Sequence, residues 1–219
     1  MSKKLIHGVG VNDAGYVTQK YEYIEGRTPS GIRKRKSVWR CPYYSKWESM
    51  LARCYSIKYL ETRTAYRGCT VCDEWLLFSN FRKWMVMQDW AGNQLDKDIL
   101  VEGNKIYSPE TCIFVVQKIN TFMGDCGDVR GNYLVGSSLP KNTSRFSSQC
   151  SNPFKDKGDL RKRHMGLFDS EVEAHLAWKK RKHEYAVELA NSEYVTDDRV
   201  RQALIYMYEN YTIVEDHLK

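Results

Sequence analysis

Three short β-like segments followed by one long helical segment set the narrowest limit on how this chain can fold. The β-like runs are YLVGSS (133–138), SRFSSQC (144–150) and RKRHMGLF (161–168), separated by a polar turn and by a Pro/Gly/Lys loop. Asp169 or Ser170 can then cap a helix that runs to Ala190. One face of that helix carries Ala174, Ala177, Trp178 and Tyr185. This order predicts a three-stranded antiparallel sheet packed on a helix.

The remaining sequence predicts further segments around this region. The glycine-bearing stretch GDCGDVRGN (124–132) is typical of a linker, so we place the sheet domain at 132–190. A basic N-terminal strand and arm is expected at 1–40, a second domain at 41–125 and a C-terminal helix at 196–219. The predicted class is α+β, a small ββα domain plus the three-stranded sheet on its helix.

The second domain is predicted from helical spacing and turn chemistry. An amphipathic helix is expected from Ser45, and another from Ser79 to the turn at Gly92. The first helix should bury one stripe of side chains, namely Trp47, Met50, Leu51, Cys54 and Tyr55. The stretch between Leu95 and Phe122 then predicts strand, loop, strand and helix, which is the ββα order.

The N-terminal region predicts one local turn and one flexible segment. The run GVGVNDAGYVTQKYEY (8–23) is typical of a short strand or hairpin, with its turn at residues 12–15. The run EGRTPSGIRKRKSVWR (25–40) carries Gly and Pro ahead of a dense set of charges. We expect it to be a flexible arm that orders on phosphates, with a plain linker as the alternative.

Positive charge is concentrated in two blocks. Residues 1–40 hold nine Lys/Arg against three Asp/Glu, and residues 141–182 hold eleven against five, whereas the whole chain has a formal net charge of +7. A phosphate-facing surface explains such blocks because each neutralised phosphate releases counterions. A solvated basic face is the alternative. No apolar run is long enough for a membrane span and the start lacks a signal-peptide pattern, so we expect no membrane partner and a cytoplasmic location.

Four segments in one order resemble a known nuclease family. They are WESMLARCY (47–55), YRGCTVCDEWLLFSNF (66–81), LDKDI (95–99) and GNKIYSPETC (103–112). Together they resemble a phage family of HNH or homing endonucleases, across residues 41–122. The resemblance implies a nuclease-like ββα domain in which a first histidine acts as general base beside a divalent ion. That histidine falls at Lys97 and the middle asparagine near Thr111, and only the last position survives, as Asn120.

Two interpretations of the missing histidine stay open. In the one we favour, a nuclease-derived protein has kept its DNA-binding surface and lost its general base. In the other, Asp96 and Asp98 hold Mg²⁺ through hard carboxylate oxygens and the chain is an active endonuclease with Asn120 in its site. The non-catalytic role of the two aspartates would be to cap the turn and to pair with Lys97 or Lys105.

The seven cysteines raise the question of zinc. Cys69 and Cys72 have the spacing of half a structural zinc site, and the other two ligands could come from Cys41, Cys54, Cys112 and Cys126. A second CxxC is missing, and all these positions have apolar neighbours. Buried reduced thiols are therefore our preferred interpretation, and we expect no resident cofactor unless the chain is a Mg²⁺ nuclease.

The sheet domain carries a second resemblance. Gly136, Phe146, the GLFD run at 166–169 and Glu173-Ala174, followed by Trp178, are similar to the three-stranded DNA-binding domain of plant ethylene-response factors, which phage homing nucleases also carry. In that family the sheet lies in the major groove. With Phe146 facing inward, Arg145, Ser147 and Gln149 should face outward together. The expected DNA-facing residues are Lys141, Asn142, Ser144, Arg145, Ser147, Gln149, Arg161, Lys162, Arg163 and His164, with Arg33, Lys34, Arg35 and Lys36 from the arm.

These observations predict a sequence-specific protein for double-stranded DNA. Arg145 and Arg163 are the expected readers of bases, because arginine contacts guanine with two hydrogen bonds. The favoured form is a catalytically degenerate regulator, such as a repressor, and the alternative is an active metal-dependent HNH-type endonuclease. A protein-binding module for an acidic partner is a third class, and a homodimer through the C-terminal helix is left open.

Overall fold

The chain is an α+β protein that divides into two compact units. The computed structural model describes residues 5–124, 132–155, 162–207 and 209, with the backbone alone at 162 and 163. Unit 1 is Met1–Phe114 and unit 2 is Val115–Lys219. Helices and several small sheets occur in mixed order, which confirms the predicted class.

Unit 1 contains the helices α1 (Pro42–Tyr55), α2 (Ile57–Thr62) and α3 (Phe78–Val86). Helices α1 and α3 contribute to its core, whereas α2 buries none of its side chains. α1 begins at Pro42 rather than at Ser45, because proline suits the first turn, where its missing N–H breaks no intrahelical bond. α3 ends at Val86, before the predicted turn at Gly92.

The predicted apolar stripe of α1 is confirmed as core. Trp47, Met50, Leu51 and Cys54 are buried, and Tyr55 is half-buried. The indole of Trp47 also donates to the carbonyl oxygen of Trp75 at 2.6 Å, so the core contains a satisfied polar group. Trp75 lies in a short 3-10 segment, Asp73–Leu76, that leads into α3.

Six short strands complete this part of the chain, in three pairs. β1 (Gln19–Arg27) and β2 (Arg33–Arg40) form an antiparallel hairpin. β3 (Thr70–Val71) and β5 (Ile106–Tyr107) pair in parallel. β4 (Gln94–Asp96) and β6 (Ile113–Val115) form the third pair.

The N-terminal hairpin differs from the sequence prediction. The turn predicted at residues 12–15 is not the hairpin turn; residues 28–32 are, with Thr28 N donating to the Ile32 carbonyl at 2.8 Å. Gly31 takes a φ of +80°, which glycine adopts without steric cost. The segment expected as a flexible arm (25–40) therefore contains the end of β1, the hairpin turn and the whole of β2, because pairing of the two strands satisfies their backbone groups.

The predicted strand, loop, strand and helix order is present, with one additional strand. β4 and β6 pair with each other, whereas β5 between them pairs with β3. The helix is α4 (Gln117–Met123), which belongs to unit 2. The strands β4 and β5 therefore lie in unit 1, whereas the helix α4 lies in unit 2.

Unit 2 contains the predicted sheet on its helix. β7 (Ser137–Ser138), β8 (Phe146–Ser151) and β9 (Lys162–Phe168) form an antiparallel sheet in that order. α5 (Glu171–Ala190) packs on all three strands and ends at the predicted residue. It begins with a capping box, in which the Ser170 side chain accepts from Glu173 N and the Glu173 carboxylate accepts from Ser170 N.

The last described helix packs on α5. α6 (Asp198–Tyr206) buries Val200 and Leu204, as its spacing predicts, and Arg201 donates to the Ala190 carbonyl at 2.6 Å. Its apolar stripe is thus already used within unit 2. None of the helices in the described part of the chain has both the length and the apolar character of a membrane span.

Candidate nucleic-acid interface

The sheet of unit 2 has one face closed by α5 and one face open. Along β8, Ser148 and Cys150 are buried on the side of α5, whereas Gln149 and Ser151 are exposed on the other side. Ser148 pairs with Gly166, but the next residue, Gln149, pairs with His164, so β9 contains one extra residue at this point. Because the extra residue is in β9, the side chains of β8 keep their alternation. We call the outward side of β7, β8 and β9 the open face.

Trp178 and His175 explain why the other side is closed. The indole of Trp178 rests on Gly136, where an added Cβ would lie 2.0 Å from the indole Cγ. His175 stacks on Trp178 and makes a 2.8 Å hydrogen bond through Nδ1 to the Val135 carbonyl. The helix is therefore fixed against the strand side that leads into β7, and α5 occupies this side of the sheet.

Arg145 is held in place at the edge of the open face. Its Nε donates to the Asp169 carboxylate at 2.9 Å, and its Nη2 donates to the Leu167 carbonyl at 3.0 Å. Both side chains of the ion pair are exposed, so the pair adds little stability. Arginine has five N–H donors, so the two hydrogen bonds orient the guanidinium and leave donors for a ligand. Sequence reasoning predicted Arg145 but missed Asp169 as its partner.

Ser147 lies on the open face but does not offer its hydroxyl to a ligand. It is 3% exposed, because it sits on the central strand between Ser138 and Leu167. Its Oγ is 3.2 Å from Nδ1 of His164, whose ring is exposed. Ser147 was predicted to face outward with Arg145 and Gln149, but its side chain is buried and its hydroxyl contacts His164 instead of solvent. Gln149 is exposed as expected.

The turn between β7 and β8 presents the remaining predicted residues. Lys141, Asn142 and Ser144 are all exposed, and Asn142 takes a left-handed φ of +68°. Thr143 Oγ1 accepts from Arg145 N at 3.0 Å, which closes the turn next to Arg145. This turn can contact a phosphate backbone that runs beside the open face.

Two of the predicted residues are described by their backbone only, and a third lies outside the described residues. Lys162 and Arg163 lie in β9, opposite Ser151 and Cys150 in the register, and are described by their backbone alone. Arg161 lies outside the described residues.

The predicted basic residues of the arm lie on β2 and are exposed. They are Arg33, Lys34, Arg35 and Lys36. Strand alternation divides them between two faces, with the arginines beside tyrosine side chains of β1. Sequence reasoning missed Tyr21 and Tyr23, although their spacing of two was the signal that would have placed them on one strand face.

The aspartates considered as metal ligands are engaged within their own loop. Oδ1 of Asp96 accepts from Asp98 N at 2.7 Å and from Ile99 N at 2.9 Å, so Asp96 caps the turn. Asp98 accepts from Lys97 Nζ at 2.6 Å. Lys97 is 4% exposed, and its Nζ also donates to the Asn104 carbonyl at 2.7 Å. These contacts match the non-catalytic role described above.

Asn120, the last of the catalytic candidates, lies in α4, in a different unit from Asp96 and Asp98. Its backbone N–H bonds to the Val116 carbonyl at 3.2 Å, and its carbonyl accepts from Gly124 N at 3.1 Å. These are ordinary bonds of a short helix.

The described residues do not provide a metal site. Within 5–124, 132–155, 162–207 and 209, no three His, Cys, Asp or Glu side chains are grouped to hold an ion. Cys69 is buried and Cys72 is half-buried, and both are free thiols, as are Cys41, Cys54 and Cys112. Cys126 lies outside the described residues. The Cys69–Cys72 pair by itself does not complete a structural Zn²⁺ site, which takes four protein ligands.

Comparisons of this chain with protein-family models, with characterised proteins and with solved structures find no match.

Proposed function

We propose that this protein binds double-stranded DNA at a specific sequence through the open face of unit 2. In this proposal it derives from a phage homing endonuclease, is catalytically degenerate and acts as a repressor. The observation that carries the proposal is the concentration of exposed hydrogen-bonding side chains, Arg145, Gln149 and His164, on the one sheet face that α5 leaves open.

The shape of unit 2 suits a DNA groove. The major groove is about 12 Å wide and admits a β-ribbon or an α-helix. A short sheet with a helix on its far side can enter the groove with its open face, where Arg145, Gln149 and His164 are exposed beside the apolar side chain of Leu167. The exposed turn at Lys141 would then lie at the groove edge, near phosphates.

The side chains suit base recognition. Arginine donates two parallel hydrogen bonds to guanine O6 and N7, and glutamine pairs similarly with adenine. Because Asp169 and the Leu167 carbonyl already orient the Arg145 guanidinium, less side-chain freedom is lost on binding. Gln149 and His164 lie opposite each other in the register and extend the same polar surface.

The local charge supports the same partner. Residues 132–155 contain Lys141, Arg145 and Lys155 and no Asp or Glu. Lysine and arginine side chains neutralise the phosphates of DNA, so the affinity for DNA should fall steeply as the salt concentration rises. Salt-sensitive binding to any duplex would argue against the protein-binding module, whose acidic partner could otherwise use the same charges.

The test is a selection of bound sequences from random duplex DNA, followed by affinity measurements on the selected site. Arg145→Ala and Gln149→Ala should each cost about 1–3 kcal/mol and relax the choice of one base pair. The matched control is Lys141→Ala on the neighbouring turn, which should weaken all sequences alike and lower the salt slope by about 1. Unaltered base preference in both reading variants would overturn this placement of the surface.

The same experiment addresses the oligomeric state. A repeated half-site in the selected DNA would indicate a homodimer. A dimer through α6 would have to use residues other than Val200 and Leu204, because those two side chains are already buried in unit 2. For the repressor role, a promoter that carries the selected site should be silenced by the wild-type chain and not by Arg145→Ala.

A further inference from the structure

The β1–β2 hairpin is the most exposed regular element of unit 1. Each residue of β1 from Lys20 onward and each residue of β2 up to Trp39 is exposed. The hairpin leaves the body of the unit at its base, where Cys41 N donates to the Thr18 carbonyl at 2.9 Å. Both of its faces are therefore open to a ligand.

The two faces of this ribbon differ in chemistry. One carries alternating arginine and tyrosine, since the guanidinium of Arg35 lies 4.1 Å from the ring centroid of Tyr21 and that of Arg33 lies 4.8 Å from the ring centroid of Tyr23. We call this the arginine–tyrosine face. The other is the lysine face, which consists of Lys20, Glu22, Lys34, Lys36 and Trp39.

Because they stack on tyrosine rings, Arg33 and Arg35 are suited to recognising base edges and not only to neutralising phosphate charge. A guanidinium that lies over an aromatic ring keeps its plane fixed while its N–H edge stays free. That edge is the group that pairs with guanine or with phosphate through two hydrogen bonds. The lysines of the opposite face are flexible point charges that suit phosphates without selecting a base.

Charge and width favour duplex DNA as the occupant. Residues 19–40 hold seven Lys/Arg against two Glu. Paired strands lie about 4.8 Å apart, so a two-stranded ribbon fits a major groove about 12 Å wide. Single-stranded nucleic acid is less suited, because its binding needs free aromatic faces for stacking, and here each tyrosine has a guanidinium over its ring.

We infer that the β1–β2 ribbon enters a groove of the DNA with its arginine–tyrosine face and reads base pairs there, independently of the sheet in unit 2. This inference rests on the proposed function, since it requires that the chain binds duplex DNA. The chain would then recognise bases with two elements, the β1–β2 ribbon and the sheet of unit 2. The selected DNA site should therefore contain base pairs that unit 2 does not specify.

The test compares two double variants of the full chain that remove the same charge from opposite faces of one strand. Arg33→Gln with Arg35→Gln should lower the preference at a subset of base pairs about tenfold or more. Lys34→Gln with Lys36→Gln should keep the selected sequence and reduce the salt slope by about 2. Arg33→Lys with Arg35→Lys keeps the charge and should still lose the base preference. All these side chains are exposed, so the fold should tolerate each change.

The outcomes separate this inference from the proposed function. If both Gln double variants cause the same uniform loss and leave the selected sequence unchanged, the ribbon contacts phosphates only and the inference is wrong. Tighter binding to single strands than to duplex through these residues would overturn it as well. If Arg145→Ala relaxes base choice but the arginine variants of the ribbon do not, only this inference fails; if the wild type binds no duplex, both fail.

Discussion

The indole of Trp178 lies directly on Gly136. The glycine has a φ of +80°, and a Cβ at that position would lie 2.0 Å from Cγ and 2.3 Å from Cδ1 of the indole. The contact joins the segment that precedes β7 to the middle of α5, so it sets how closely the helix approaches the sheet. Because the open face is the reverse side of the same sheet, this contact also supports the proposed DNA-binding surface.

Gly136→Ala should therefore destabilise unit 2 strongly. The new methyl group requires both a left-handed backbone, which is unfavourable for alanine, and a shift of a buried indole. We expect a loss of about 3 kcal/mol. Amide hydrogen exchange at the β8 amides measures it within unit 2. The control is Gly68→Ala in unit 1, where φ is +76° and a Cβ would have no neighbour within 4 Å; it should cost only about 1 kcal/mol, as measured at the α1 amides of that unit.

Unit 2 was largely predictable because its signals are local. Ser170 and Glu173 make a capping box from positions three apart, and Ala190 ends the apolar periodicity of α5. The alternation of Phe146 to Gln149 placed Ser147 and Gln149 on one side of the strand and Phe146 and Ser148 on the other. Such patterns depend on neighbours in the chain, which a single sequence displays directly.

What could not be predicted depends on contacts between distant residues. β2 forms because its backbone pairs with β1, and the basic composition of Arg33–Arg40 suggested a flexible segment instead. Asp169 orients Arg145 across 24 positions of the chain. The burial of Ser147 follows from strands on both sides, and no periodicity records it.

The pH dependence of stability should show the contribution of Asp96. Burial raises the pKa of Asp96 above its ordinary value, although its two backbone hydrogen bonds and Lys97 oppose this. A raised pKa in the folded state means that the protonated form favours folding. The stability contributed by Asp96 is therefore lost as the pH rises from the ordinary pKa through the raised one.

Asp96→Asn removes this titration and keeps an acceptor oxygen for Asp98 N and Ile99 N. Its stability relative to the wild type should rise between pH 4 and pH 7, as measured by denaturant unfolding. Asp96→Ala also lacks the acceptor, so it should show the same pH trend but be about 1–3 kcal/mol less stable than Asp96→Asn at each pH. If the wild type instead becomes more stable relative to Asp96→Asn as the pH rises, the pKa of Asp96 is lowered in the folded state and this prediction is wrong.

The buried thiols should react slowly with alkylating reagents. Burial raises the pKa of Cys54 and of Cys112 to about 12. At pH 8 only about one in ten thousand of such groups is thiolate, the reactive form. Iodoacetamide followed by peptide mass spectrometry should therefore label Cys72, which is half-buried, before either of them. Labelling of all cysteines in urea is the control, and equal native rates would contradict the burial of Cys54 and Cys112.

The chain should not cut its own binding site. In the proposed origin from a homing endonuclease, Lys97 would take the place of the general-base histidine. Its Nζ is engaged by Asp98 and by the Asn104 carbonyl, so it cannot act as a general base without breaking these contacts. We expect intact DNA after incubation of the selected duplex with the protein and Mg²⁺ or Mn²⁺, under conditions in which a gel-shift assay shows full binding. Site-specific nicks that Asp98→Ala abolishes, with DNA binding retained, would establish the active endonuclease instead, since contaminating nucleases would persist in that variant.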